Sequence, residues 1–270
     1  MPDAKLNGIR FHYDTYYGEG DPVLLINGLS APSANWLFQV KGFSPHYRVI
    51  TFDNRGVGET DMPEAASYPT SQMADDAAAV LEHLDIRRAH VVGHSMGGTI
   101  AMELAIRHPK RVQSLALCGT WAQGDGRFLH TIRGWMALWG RLDVEARFRH
   151  LVMPWLYTPA FFADQMQVDE TVKRVLSYPF PTKPEAIERQ GQGILDWNGT
   201  RLREIKKLRL PTLVLAGRDD NLTVPAFSRA LAALIPRSQL KLIPGGHGFT
   251  IEHWEAFNRA VLGFLKGVRP

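Results

Sequence analysis

A single cysteine, Cys118, stands among 270 residues, and this excludes any internal disulfide framework. It closes the apolar run Leu115-Ala116-Leu117-Cys118, the setting of a buried strand thiol rather than a reactive one. Long apolar stretches are also missing: no run approaches the roughly 18–20 residues that span a bilayer. The opening residues Met1-Pro2-Asp3-Ala4-Lys5 lack the apolar core of a secretory signal. A cytoplasmic protein with no membrane partner is therefore expected. Charge of one sign is scarce as well, with 31 Lys and Arg against 27 Asp and Glu and a net charge of +4. The richest basic stretch (Arg201, Arg203, Lys206, Lys207, Arg209) alternates with Leu and Ile at helical spacing, so a solvated helix face is expected and no nucleic-acid partner. No dinucleotide fingerprint, phosphate-binding loop or cluster of metal ligands occurs, so neither a cofactor nor a metal is expected.

What is present has the composition of a globular chain, with 45% hydrophobic and 21% charged residues. At this length it can bury a large core. Asn7-Gly8 is a hairpin dipeptide between two short alternating segments, predicting an antiparallel strand pair. Val23 to Ile26 is a compact apolar run ending at Asn27-Gly28, as in a strand buried on both faces. A rhythm of strands and helices follows: Arg48 to Phe52, a helix from Ser71 to Leu84, a strand at Ala89 to Val92, a helix from Met96 to Arg107, and a strand from Val112 to Leu117. After residue 196 it resumes with strands at Pro211 to Ala216 and Gln239 to Ile243, and helices at Pro225 to Ile235 and Ile251 to Lys266. Alternation of this kind predicts an α/β fold with a mostly parallel sheet and helices on both faces. Between them, residues 122–195 show helical patterns rich in Trp, Phe, Arg and Met, broken by prolines. The domain expectation is a core of residues 1–121 and 196–270, with 122–195 as a helical cap over the carboxyl ends of the strands.

Gly93-His94-Ser95-Met96-Gly97 matches G-x-S-x-G between a strand and a helix, where a strained turn exposes a serine hydroxyl and only small neighbours fit. Such a serine needs a base with its own orienting acid. In chain order the acid follows one late strand and the histidine the next. Leu213-Val214-Leu215-Ala216-Gly217-Arg218-Asp219-Asp220 supplies two adjacent acids, either of which could serve. Leu240 to Gly246 leads to His247, the one histidine in a glycine-rich loop after a late strand. His94 borders the serine and is expected to point elsewhere. The oxyanion donors expected are the backbone N–H groups of Met96 and of Leu29, in the loop Asn27-Gly28-Leu29-Ser30 after the third strand.

These residues resemble the α/β-hydrolase superfamily over roughly residues 9–120 and 196–267, and most of all 3-oxoadipate enol-lactonases and related carboxylesterases. The resemblance rests on Phe52-Asp53-Asn54-Arg55-Gly56-Val57-Gly58-Glu59-Thr60, on Gly93 to Gly98, on Leu117-Cys118-Gly119-Thr120, and on Gly246-His247 with Glu252, Ala256, Phe257 and Asn258. It implies the α/β-hydrolase fold with a helical cap and a triad of Ser95, Asp220 and His247, because the acid falls at the fourth place of G-x-x-D. It also implies hydrolysis of a carboxylic ester or lactone through an acyl-enzyme. Asn27, where many relatives carry histidine, is similar to the enol-lactonase branch and is placed beside substrate. Asp53 and Arg55 are read as organisers of a loop by ion pairing.

Two other readings share the triad: a C–C bond hydrolase of the meta-cleavage-product type, disfavoured by Gly248 after His247, and a small-molecule receptor with little turnover. The partner expected is a small ester or lactone, and a homodimer is left open. Four of the seven tryptophans lie between Trp121 and Trp155. Of these, Trp135 and Trp139 are expected to line a pocket above Ser95, so that their truncation would alter selectivity more than melting temperature.

Overall fold

Asn7 and Gly8 both take positive φ (50° and 84°), the backbone of a two-residue hairpin turn whose twist matches the strands it joins. In the computed structural model, which describes residues 3–268, this turn pairs Leu6 with Ile9 and joins β1 (Asp3–Leu6) to β2 (Ile9–Tyr16). The other strands are β3 (Pro22–Ile26), β4 (Arg48–Phe52), β5 (Ala89–His94), β6 (Val112–Cys118), β7 (Thr212–Gly217) and β8 (Ser238–Ile243). They form one eight-stranded sheet in the order β1-β2-β4-β3-β5-β6-β7-β8. The β1–β2 and β2–β4 pairings are antiparallel and all the rest are parallel. The reading of the N-terminal segment and the outer domain limits fall in part on residues 1–2 and 269–270, outside the described residues.

Alternation along each strand splits the core in two. Leu24, Ile26, Ile50, Phe52 and Val91 face one side, with the helices Thr70–His83 and Met96–Arg107. Val23, Leu25, Val49, Val92, Ala116 and Cys118 face the other, packed with Trp36, Phe43, Phe257 and Phe264. Cys118 is buried there, and burial raises its thiol pKa far above the usual range. A short 3₁₀ turn (Ser33–Trp36) and a helix (Leu37–Phe43) that the sequence patterning did not predict deliver two of these aromatics.

The segment between β6 and β7 contains only helices and turns. Its outer helices, Gly126–Leu138 and Pro184–Trp197, bury Phe128, Ile132, Trp135, Ile187, Ile194 and Trp197 in the same core as the sheet. Only the middle portion has a cluster of its own, made of Met153, Tyr157, Phe161, Val168 and Val172. The expected boundary at residue 195 therefore cuts a helix that continues to Trp197. The final helix also differs from its expected Ile251–Lys266 span. It is two pieces, Phe249–Glu252 and Trp254–Lys266, broken where His253 leaves helical geometry (φ −130°, ψ 44°). Among the described residues, no helix is long and apolar enough to cross a membrane.

Candidate active site

Ser95 sits between β5 and the helix Met96–Arg107 with φ 57° and ψ −123°, a conformation that non-glycine residues avoid and that costs about 1–3 kcal/mol. The turn holds it by tying the Ser95 N–H to the Cys118 carbonyl (2.9 Å) and the Ser95 carbonyl to the Gly98 N–H (2.9 Å). Gly97 is required because a Cβ there would collide with the Ile26 carbonyl. Gly28 is required on the other side, where a Cβ would stand 2.9 Å from the Ser95 Cβ. The loop after β3 is thus pressed against the serine.

His247 reaches Ser95 from the loop after β8, its Nε2 standing 3.0 Å from the Ser95 Oγ. Its Nδ1 lies 2.8 Å from the Asp220 Oδ2. The carboxylate there keeps the proton on Nδ1 and leaves the Nε2 lone pair for the serine hydroxyl. Asp220 follows β7 and is buried. Its Oδ1 accepts the Leu222 and Thr223 N–H groups at 2.9 and 2.8 Å, and its Oδ2 accepts the Thr223 hydroxyl at 2.8 Å. Asp219 is exposed, with its N–H bonded to the Gly245 carbonyl (3.1 Å). Geometry therefore separates the two acids: Asp220 meets the imidazole and Asp219 does not.

His94, expected to point elsewhere, supports the histidine. Its Nε2 donates to the His247 carbonyl (3.0 Å), and the two rings lie 4.9 Å apart. Burial, and then the neighbouring His247, lower its pKa to about 3, so it stays neutral. Because the unfolded chain takes up this proton near pH 6.5 and the folded chain does not, the stability His94 contributes falls as pH drops through that window. Between pH 6.5 and 4.5 this amounts to about 2 kcal/mol. The variant His94→Gln should lose correspondingly less stability than wild type on acidification, measured by denaturant unfolding at the two pH values. Equal losses would show that His94 is not held neutral.

Met96 follows Ser95 in the chain and Leu29 lines the same cavity as Ser95, and among the described residues neither N–H is bonded to a protein acceptor. Asn27 lines the same cavity, but its side chain is committed to its own loop. Its Nδ2 donates to the Pro32 carbonyl (2.8 Å), and its Oδ1 accepts the Gly28 N–H (3.2 Å). These two bonds shape the loop and leave one N–H of the amide without a protein acceptor among the described residues. Asp53 likewise accepts the Ser33 and Glu59 N–H groups, and Arg55 pairs in bidentate fashion with Asp76 at 2.7 and 2.8 Å.

A cavity of about 250 Å³ opens above Ser95 and His247. Apolar side chains dominate its wall, among them Leu29, Trp135, Trp139, Phe148, Val152 and Leu156. Both expected tryptophans are there, yet each is only 6% exposed and belongs to the main core. Pocket and core roles coincide, contrary to the expected separation. Trp135→Ala and Trp139→Ala should each cost about 3–5 kcal/mol and lower Tm by roughly 6–20 °C, besides altering substrate preference. Thermal melts showing no loss would contradict this packing.

Two arginines, Arg147 and Arg174, line the wall without having been expected there; Arg147 lies in a Glu-Ala-Arg-Phe-Arg context that looks like a solvated face. It is 8% exposed, donates to the Trp139 carbonyl (2.8 Å) and lies over the Trp139 ring at 4.5 Å.

A mostly parallel eight-stranded sheet, a serine on a strained turn after β5 and a histidine after the last strand define an α/β hydrolase. The chain belongs to the α/β-hydrolase fold family, whose sequence model matches residues 21–253. A Caulobacter sp. (strain K31) protein, provisionally named carbamate hydrolase RutD, is 31% identical over 248 residues, 91% of this chain and 90% of that one. The enol-lactonase from Burkholderia xenovorans LB400 superposes with a TM-score of 0.87 at 27% identity, covering 98% of this chain and all of the other. A mutant of the meta-cleavage product hydrolase CumD from Pseudomonas fluorescens IP01 gives 0.84 at 29% identity, over all of this chain and 98% of that one.

Proposed function

We propose that the chain hydrolyses a small carboxylic ester or lactone through a covalent acyl-enzyme on Ser95. The observation that carries this reading is the hydrogen-bonded series Ser95 Oγ, His247 Nε2, His247 Nδ1 and Asp220 Oδ2, at 3.0 and 2.8 Å. In this scheme His247 takes the hydroxyl proton as Ser95 Oγ attacks the carbonyl. The Leu29 and Met96 N–H groups receive the charge that develops on the carbonyl oxygen. His247 passes the proton to the departing alkoxide, and then activates a water that releases the acid. The helical segment 122–195 acts as the cap that selects the substrate.

The cavity suits a compact, largely apolar acyl group. Arg147, with no described carboxylate paired to its guanidinium, admits an acidic substituent as well. The carbamate name carried by the relative extends the same chemistry to a carbamoyl-enzyme.

A fluorophosphonate probe with peptide mapping, run beside a panel of p-nitrophenyl esters, lactones and carbamates, tests the proposal. The panel should include acyl chains that end in a carboxylate. Labelling at Ser95 and multiple turnovers on an ester or lactone are expected. A folded protein that neither labels nor turns over any of them would favour a receptor instead.

A further inference from the structure

The two residues on either side of His247 are both tied to one turn of the cap. The Gly248 N–H donates to the Leu156 carbonyl at 2.6 Å. The Gly246 N–H donates to Glu252 Oε2 at 3.0 Å, while Glu252 Oε1 accepts both the hydroxyl of Thr158 and its N–H (3.4 Å). Leu156, Tyr157 and Thr158 are consecutive, and the first two line the cavity that holds Ser95 and His247. The Glu252 side chain is buried, with 5% exposure, and the His253 Nε2 stands 4.0 Å away. A carboxylate desolvated among neutral donors is costly unless its acceptor capacity is used, and three donors use it here. The break at His253 ends the short helix just after Glu252, the residue whose carboxylate reaches Gly246 and Thr158.

We propose that Glu252 is a positioning residue for His247. Through it and through the Leu156 carbonyl, the cap turn Leu156–Thr158 sets where the imidazole stands relative to Ser95. Glu252 is not among the residues that line the cavity, and its carboxylate bonds Gly246 and Thr158 rather than Ser95 or the imidazole, so it acts through the backbone beside His247. The cap that encloses the ligand thereby also registers the base. This inference rests on the hydrolytic reading of Ser95 and His247.

The variants Glu252→Gln, Thr158→Val and Thr158→Ser, made in the full chain, separate positioning from mere support. The glutamine amide offers one acceptor oxygen and sets an N–H against a donor that the carboxylate satisfied. Because a 1 Å misplacement of a reacting group costs about 100-fold, Glu252→Gln should lower kcat roughly 10- to 100-fold, with KM within about threefold. The rate of fluorophosphonate labelling should fall in parallel, and the low-field proton resonance of the His247 Nδ1–H should shift. Thr158→Val should show a smaller loss of the same kind, and Thr158→Ser should restore wild-type rates. If Glu252→Gln does not fold, the two Thr158 variants carry the test. Folded variants with lower Tm but wild-type kcat, labelling rate and His247 resonance would overturn the positioning role. That outcome differs from failure of the hydrolytic reading, in which the wild type itself would not label or turn over, and which would overturn both.

Discussion

Replacing Ser95 with alanine should abolish turnover, by about 10⁴- to 10⁶-fold in kcat, while leaving the protein folded. The size of the loss follows from what the proposed mechanism asks of the hydroxyl: the Ser95 Oγ is the group that the His247 Nε2 hydrogen-bonds. What the proposed mechanism leaves to the variant is binding and the Leu29 and Met96 N–H groups, which would still favour a polarised carbonyl but would have no nucleophile to pair with it. The fold should tolerate the change for a local reason. Alanine carries the same Cβ as serine, so the strained φ of 57° is no worse. The Ser95 N–H and carbonyl keep their bonds to Cys118 and Gly98. Only the 3.0 Å hydrogen bond to His247 is lost, worth about 1 kcal/mol in a typical case. Steady-state kinetics beside a thermal melt measures both halves. An alanine variant retaining a few per cent of wild-type turnover would sink Ser95 as the nucleophile.

Much of this site is legible in the sequence because its chemistry depends on short stretches of backbone. The turn at Ser95 announces itself through Gly93, Gly97 and Gly98, and the strands around it are the apolar runs that burial on both faces of the sheet requires. The Asn7-Gly8 turn is legible for the same reason, since few dipeptides adopt positive φ twice. Features that arise from tertiary contact are not. The break in the last helix at His253 has no glycine or proline to mark it. It accompanies the reach of Glu252 to Gly246 and Thr158, and neither contact has a local signature. Arg147 looks like a surface charge until the fold lays it over Trp139. The bonds by which the Asn27 amide holds its own loop, to Pro32 and Gly28, are likewise invisible in the sequence. Trp135 and Trp139 show the limit of composition: an aromatic excess predicts a pocket or a core, and here the same rings form both.

Asp220→Asn should cost about 10⁴-fold in kcat, whereas its neighbour Asp219→Asn should leave activity within about threefold of wild type. The residues are adjacent and chemically identical, so the contrast isolates geometry. Asp220 receives four donors: the N–H groups of Leu222 and Thr223, the Thr223 hydroxyl, and the His247 Nδ1–H. Asparagine has one acceptor oxygen to offer them. If that oxygen stays with the two backbone N–H groups, the amide NH₂ turns toward His247 and demands the lone pair of Nδ1. The proton then moves to Nε2, where it faces the Ser95 Oγ and can no longer be exchanged for the serine proton. Thr223 does not rescue this, because its hydroxyl, 3.0 Å from Nδ1, carries no charge to stabilise the imidazolium. Asp219, by contrast, is exposed and contributes its backbone N–H to the Gly245 carbonyl, a bond that asparagine keeps. Kinetics on both variants, with circular dichroism to confirm the fold, decides the matter. Equal losses, or a larger loss at Asp219, would mean that the imidazole is oriented by a different acid from the one 2.8 Å away.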